Sequence, residues 1–213
     1  RFGVVNLGRQ RLGTVFQVAA FGLGLMSLIL LTLVRADLLQ GWKQSLPPQA
    51  PNRFLVNIQP DQVAAVRQFF AGQQLAVPLL HPMIRGRMVE INDKATSSND
   101  FVDERARRLL DREFNLSWAE ALPADNRVVD GRWFGAGQSG EALVSIEDGV
   151  SATLGLAVGD RLAYNIAGQL LRVRVASLRK VQWDSFRVNF YVLAPPGVLE
   201  SHAATYITSL YLP

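Results

Sequence analysis

The chain has no cysteine in its 213 residues. That excludes a disulfide framework, thiolate catalysis and any cysteine-ligated metal site. Histidine is nearly absent: His81 and His202 are the only two. Neither has the H-E-x-x-H spacing that puts two ligands on one helical face. There is no Walker A loop, so the chain does not itself hydrolyse ATP by that route. There is no G-x-S-x-G elbow either. Ser185, Asp184 and a histidine would have to meet through the fold, and nothing local marks a hydrolytic site. Residues 1–34 contain no acid. The net charge of +4 (22 bases against 18 acids) has three of its bases there, Arg1, Arg9 and Arg11, which leaves 19 against 18 beyond. Such a balance is not the basic stripe of a nucleic-acid binder. No catalytic residue, cofactor site or metal site is expected.

Charge is also missing from one long run. Thr14–Val34 (TVFQVAAFGLGLMSLILLTLV) is uncharged over 21 residues. As a helix it measures about 31 Å, against a hydrocarbon core of about 30 Å. It reads as a transmembrane helix. The apolar region of a signal peptide is shorter, and Val34-Arg35-Ala36 makes a poor cleavage site. Bases precede the span, while Arg35 and Asp37 roughly cancel after it. The positive-inside tendency therefore puts residues 1–13 in the cytoplasm and residues 35–213 outside. Because it starts on Arg rather than Met, the chain is expected to be a piece of a longer protein. Ala20 and Gly24, with Gly22 beside them, offer a close-packing face for another helix.

Trp42 and the breaks at Pro47-Pro48 and Ala50-Pro51 mark a membrane exit, with 35–52 as connector. Phe54–Ile58 reads as a strand. Pro60-Asp61 opens a helix carrying Val63, Val66, Phe69 and Phe70 at helical spacing, and Gly72 ends it. Strands are expected at Leu75–Leu80 and Met83–Ile91. At the other end, Arg187–Leu193 alternates as a strand, a short helix runs to about Ser201, and Thr205–Leu212 is again a strand. Two β-α-β units at the ends of one domain predict an α+β fold: a ferredoxin-like split sheet, 53–91 with 186–213, and a β-rich insertion over 92–185.

Within the insertion, Phe101–Phe114 reads as a charged helix. Its Arg105, Arg107, Arg108 and Arg112 are a candidate binding patch. Interleaved Asp103, Glu104, Asp111 and Glu113 favour a solvated face instead. Strands follow at Val128–Phe134 and Ala142–Ile146, then a helix from Glu147 to Leu154 with Gly155 as its left-handed stop. Further strands are expected at Arg161–Ile166 and Gln169–Val181. Leu171, Val173 and Val175 should face in, and Arg172 and Arg174 out. Gly135–Gly140 matches G-x-G-x-x-G, but the strand-forming Ala142–Ile146 that follows makes it a loop rather than a dinucleotide site. Asn115-Leu116-Ser117 fits a glycosylation sequon that recurs by chance.

Three runs carry a resemblance: Arg53–Pro60 (RFLVNIQP), Arg112–Trp118 (REFNLSW) and Val181–Phe190 (VQWDSFRVNF). They resemble ABC transporter permeases of the MacB/FtsX superfamily, and within it the YbbP-type permeases. Leu154–Asp160 is similar to a motif of the periplasmic core domains in that superfamily. The resemblance implies one transmembrane helix (14–34) followed by a periplasmic domain, with a porter-like part split around an inserted Sabre-like part. It implies a non-catalytic subunit in the bacterial inner membrane, driven by a separate cytoplasmic ATPase. The partners it implies are the other half of the same permease, a lipophilic cargo, and a periplasmic esterase or lysophospholipase. An FtsX-like protein would instead transmit force to such a hydrolase without moving cargo. Trp183-Asp184-Ser185, inside the most specific run, reads more readily as a packing and turn element than as a contact site.

Overall fold

The computed structural model describes residues 11–45, 50–135 and 137–212. The chain divides into two compact units, Arg1–Pro48 and Gln49–Pro213. The described residues of the first unit form one helix, α1 (Arg11–Ser45). Its Gly13–Gly41 stretch is long and apolar enough to cross a membrane. Large apolar side chains are exposed on every face, Phe21, Leu23 and Leu31 among them. Ser27 and Thr32 donate their hydroxyls to the carbonyls of Leu23 and Leu28 at 2.8 and 2.7 Å. Each is thus satisfied inside the helix, which apolar surroundings require. The helix continues through Arg35–Ser45, where an exit and connector were expected. No proline interrupts that stretch, and Leu38, Leu39 and Gln40 are good helix formers. Trp42 lies in this continuation. Arg1, Arg9 and Pro47-Pro48 fall outside the described residues.

The second unit opens with a three-stranded sheet. β1 (Arg53–Ile58) and β2 (His81–Ile91) both run antiparallel to β10 (Thr205–Leu210), which lies between them. β1 and β2 are therefore parallel, joined through a 3-10 turn at Pro60–Gln62 and helix α2 (Val63–Gly72). This is the first expected β-α-β unit. Leu75–Leu80 is not a strand.

The second expected β-α-β unit does not form. Its last strand is present as β10, but of Arg187–Leu193 only the end is extended, in β9 (Val192–Ala194), which pairs with strands other than β1 or β2. Residues 195–204 make turns and no helix. Arg187–Tyr191 has strand-like alternation, but side-chain hydrogen bonds from Asn189 draw it out of any ladder.

The remaining strands close on themselves. From Ile84 onward β2 pairs with β4 (Phe114–Trp118); β4 pairs with β9, β9 with β6 (Leu143–Glu147), β6 with β8 (Gln169–Val181), β8 with β7 (Arg161–Ile166), and β7 with β2. Six strands thus form a barrel, which removes most exposed edges. β5 (Asn126–Gly131) adds to the far half of β8, and the two-residue β3 (Lys94–Ala95) to the end of β2. β5 stops at Gly131 rather than Phe134, since Gly131 has φ +74° and any Cβ there would lie 2.3 Å from the carbonyl oxygen of Ala176.

Ile84, Met88, Leu116, Ile146, Leu162, Tyr164, Val175 and Val192 fill the core. Each aliphatic chain buried there contributes about 1.5–3 kcal/mol. Gly86 lets β2 pass close: a Cβ would meet Leu116 Cδ1 at 2.6 Å and Ile166 Cγ1 at 3.1 Å. Two short helices complete the core. α3 (Glu104–Asp111) contributes Ala106, Leu109 and Leu110, and α4 (Asp148–Leu154) contributes Val150 and Leu154. α3 is shorter than Phe101–Phe114 because the Asp103 carboxylate caps its start, accepting from Arg105 N at 3.1 Å, and Arg112 is extended. Gly155 ends α4 in the left-handed conformation, φ +69°.

Candidate functional site

The run Gln182–Tyr191 crosses the unit as an irregular loop whose shape is set by hydrogen bonds. Trp183–Ser185 makes a 3-10 turn, and Phe186 takes φ +56°. Gln182 N donates to Asp125 O at 3.0 Å. The Ser185 hydroxyl donates to Asp125 Oδ2 at 2.6 Å, and Asn189 Nδ2 donates to the same oxygen at 2.7 Å. Burial pushes the Asp125 carboxyl upward, but the bonds from Ser185 and Asn189 outweigh it and hold the group below its ordinary range. Asn126 Nδ2 in turn donates to Asn189 Oδ1 at 2.7 Å.

Beneath this loop lies Arg179, fully buried on β8. Its Nη1 donates to Asn126 Oδ1 at 2.6 Å, and its Nη2 to the carbonyl of Phe190. Desolvation lowers its pKa to about 10, partly offset by Glu147 and Asp125. The guanidinium stays charged at neutral pH and fixes the loop from below.

The loop forms one wall of a groove of about 590 Å³. The lining is mainly apolar: Leu79, Leu80, Pro82, Leu122, Val188 and Leu193. His81, Asp125, Arg187 and Asn189 supply polar points. Burial lowers the pKa of His81, against a smaller upward pull from Asp125. A neutral imidazole beside aliphatic walls suits an uncharged, lipophilic occupant.

The other sequence candidates fall in several places. His202 lines a different hollow, with Met83, Arg85 and Gln169. Ser185 bonds to Asp125 rather than to Asp184 or a histidine. Gly135–Gly140 is a turn leading into β6, with Gly140 N donating to Pro196 O at 2.7 Å; Ala136 lies outside the described residues. Asn115 sits exposed on β4, while Ser117 is buried and donates to Pro82 O at 2.6 Å. Trp183 belongs to a turn, but it remains 47% exposed and packs at a tilt against Tyr191 with ring centroids 5.0 Å apart. Among the described residues no group of three or more His, Asp or Glu is placed to hold a metal. Sequence reasoning missed Asp125, Asn126 and Arg179. The inward parity of Val173, Val175 and Val181 along β8 extends to Arg179 and was the available signal.

No protein-family model matches the chain. Over 209 residues, 98% of its length, it is 40% identical to the uncharacterized ABC transporter permease YbbP of Escherichia coli (strain K12). The chain spans a quarter (25%) of that permease's length. A solved domain of a protein described as a permease, from Porphyromonas gingivalis, superposes with a TM-score of 0.38 at 13% identity, over 63% of this chain and 61% of that one. An apolar helix, a β-rich unit and 40% identity over 98% of the chain agree: the chain is a segment of the YbbP-type ABC transporter permease family.

Proposed function

We propose that the second unit of this permease segment couples helix motion, driven by a separate cytoplasmic ATPase, to the export or extraction of a lipophilic cargo. In this reading α1 spans the bacterial inner membrane with its N-terminal end in the cytoplasm. Residues 35–213 then lie mainly on the periplasmic side, in a porter-like part (53–91 and 186–213) and a Sabre-like part (92–185). The chain itself is non-catalytic. The observation that carries the reading is the groove at Leu79, Leu122, Val188 and Leu193, an aliphatic cleft walled by the loop that carries the most specific sequence run.

The test uses the complete permease and its ATPase, reconstituted together in lipid nanodiscs. Native lipids and other lipophiles that co-purify are identified, and their ATP-dependent loss is followed. Leu79→Asp and Val188→Asp, both at positions where solvent reaches the side chain, should abolish co-purification while leaving ATPase binding intact. If ATP turnover instead raised the activity of a periplasmic esterase or lysophospholipase, with no lipophile bound and no effect of either substitution, the force-transmitting reading would replace this one.

A further inference from the structure

Trp183 and Tyr191, near the two ends of the same loop, border a second cleft, of about 380 Å³, which the groove reading does not use. One side of it is α3, with Arg105 and Arg108, and Arg112 just past the helix end. Trp183 and Tyr191 form the other. The Arg112 guanidinium carbon lies 5.2 Å from the centre of the Tyr191 ring, a cation–π contact with the aromatic wall.

The acids that suggested a solvated face in sequence are directed elsewhere. Asp103 caps α3, and Asp111 and Glu113 do not line the cleft. Glu104 holds Arg108 at 2.7 Å in an exposed pair, which competes weakly with a ligand. The one acid in the lining, Glu147, is buried and committed: its Oε2 accepts from Val150 N at 2.8 Å to cap α4, and it faces Arg179. Arg105 and Arg112 have no hydrogen-bond or ion-pair partner for their guanidinium groups among the described residues. Three arginines against one acid leave the lining at a formal +2.

We propose that this cleft binds a phosphate monoester, by forked hydrogen bonds from Arg105 and Arg112 with Arg108 as a further donor. Guanidinium forks match phosphate oxygens in pairs. A monoester carries about −1.5 to −2 at neutral pH, which complements the lining charge. A phosphodiester or a single carboxylate, at −1, would leave a cation uncompensated.

The experiment is calorimetric titration of glycerol 3-phosphate into the intact permease, held in nanodiscs of uncharged lipid. Binding should saturate, weaken with added salt, and fall at least about tenfold in the Arg105→Ala, Arg112→Ala double variant. Arg127→Ala, exposed on β5 and outside the cleft, should leave it unchanged. Both cleft arginines are exposed, so the double variant should fold; an unchanged melting temperature checks this. A second arm offers vesicles of phosphatidylcholine with and without phosphatidic acid. Retention by phosphatidic acid alone, lost in the double variant, assigns the phosphate to a lipid headgroup; binding of soluble glycerol 3-phosphate assigns it to a free ester. No binding in either arm, or equal binding by the double variant, overturns the proposal. So does capture of polyglutamate with no response to phosphate, which would make the cleft a contact for an acidic protein. None of these outcomes depends on whether the aliphatic groove holds cargo.

Discussion

Arg179 Nη1 and Asn126 Oδ1 lie 2.6 Å apart and join the buried face of β8 to the first residue of β5. Through Asn126 the bond reaches Asn189, and through Arg179 Nη2 it reaches the Phe190 carbonyl. One cation thereby holds the C-terminal end of the segment that walls the groove. Arg179→Ala leaves Asn126 Oδ1 and the Phe190 carbonyl without these donors and opens a void under the loop. The expected loss is about 3 kcal/mol, read by denaturant unfolding. Arg179→Lys should recover only part of it, because one ammonium cannot reproduce the two-handed contact.

The Ser185–Asp125 bond predicts an acid-sensitive contribution to stability. The folded carboxyl is held below the ordinary carboxylate value by Ser185 and Asn189. The unfolded chain therefore takes up a proton first, at about pH 4. The stabilisation is complete above that pH and disappears as pH falls through the lower folded value. Ser185→Ala moves the folded value back up. It should lower the melting temperature at neutral pH, with the gap to the parent closing as the solution is acidified below about pH 4. A gap that stayed constant across that range would assign the effect to packing alone.

How much of this was legible in the sequence differs along the chain. β7, β8, α4 and the Gly155 stop were readable, because alternation, a helix-ending glycine and flanking turns all pointed the same way. The barrel was not. Its closure depends on β2 serving the small sheet at His81–Met83 and the ring from Ile84 onward, a division that no local pattern marks. Arg187–Leu193 reads as a strand by alternation, yet the polar bonds of Asn189 keep most of it irregular. Leu75–Leu80 reads as a strand by composition; Leu79 and Leu80 instead wall the groove. Side chains from distant segments built the site, and local periodicity carries no record of such meetings.

Gly86 tests the barrel itself. Alanine there forces Leu116 and Ile166 apart inside a packed ring and should cost about 1–3 kcal/mol. Gly72 is the control: a Cβ at the end of α2 meets nothing within 4 Å, so Gly72→Ala should be near neutral. Equal melting temperatures for the two variants would contradict the packing described at Gly86.

In the helical unit, Gly24 leaves open space one turn from Ala20, on a helix whose leucines are exposed. If another helix of the permease closes on that face, Gly24→Leu should reduce the yield of intact permease–ATPase complex from membranes. Complex yield and ATP turnover equal to the parent would show that the face meets lipid only.

The most direct test of the account is photo-crosslinking from Val188, which carries a photoreactive side chain in the otherwise intact permease within sealed cells. Irradiation during ATP turnover should attach a lipophilic molecule to that position, and a hydrolysis-deficient ATPase should change the yield. Labelling by water alone, or the same yield with and without turnover, would contradict a groove that handles greasy cargo in step with the motor.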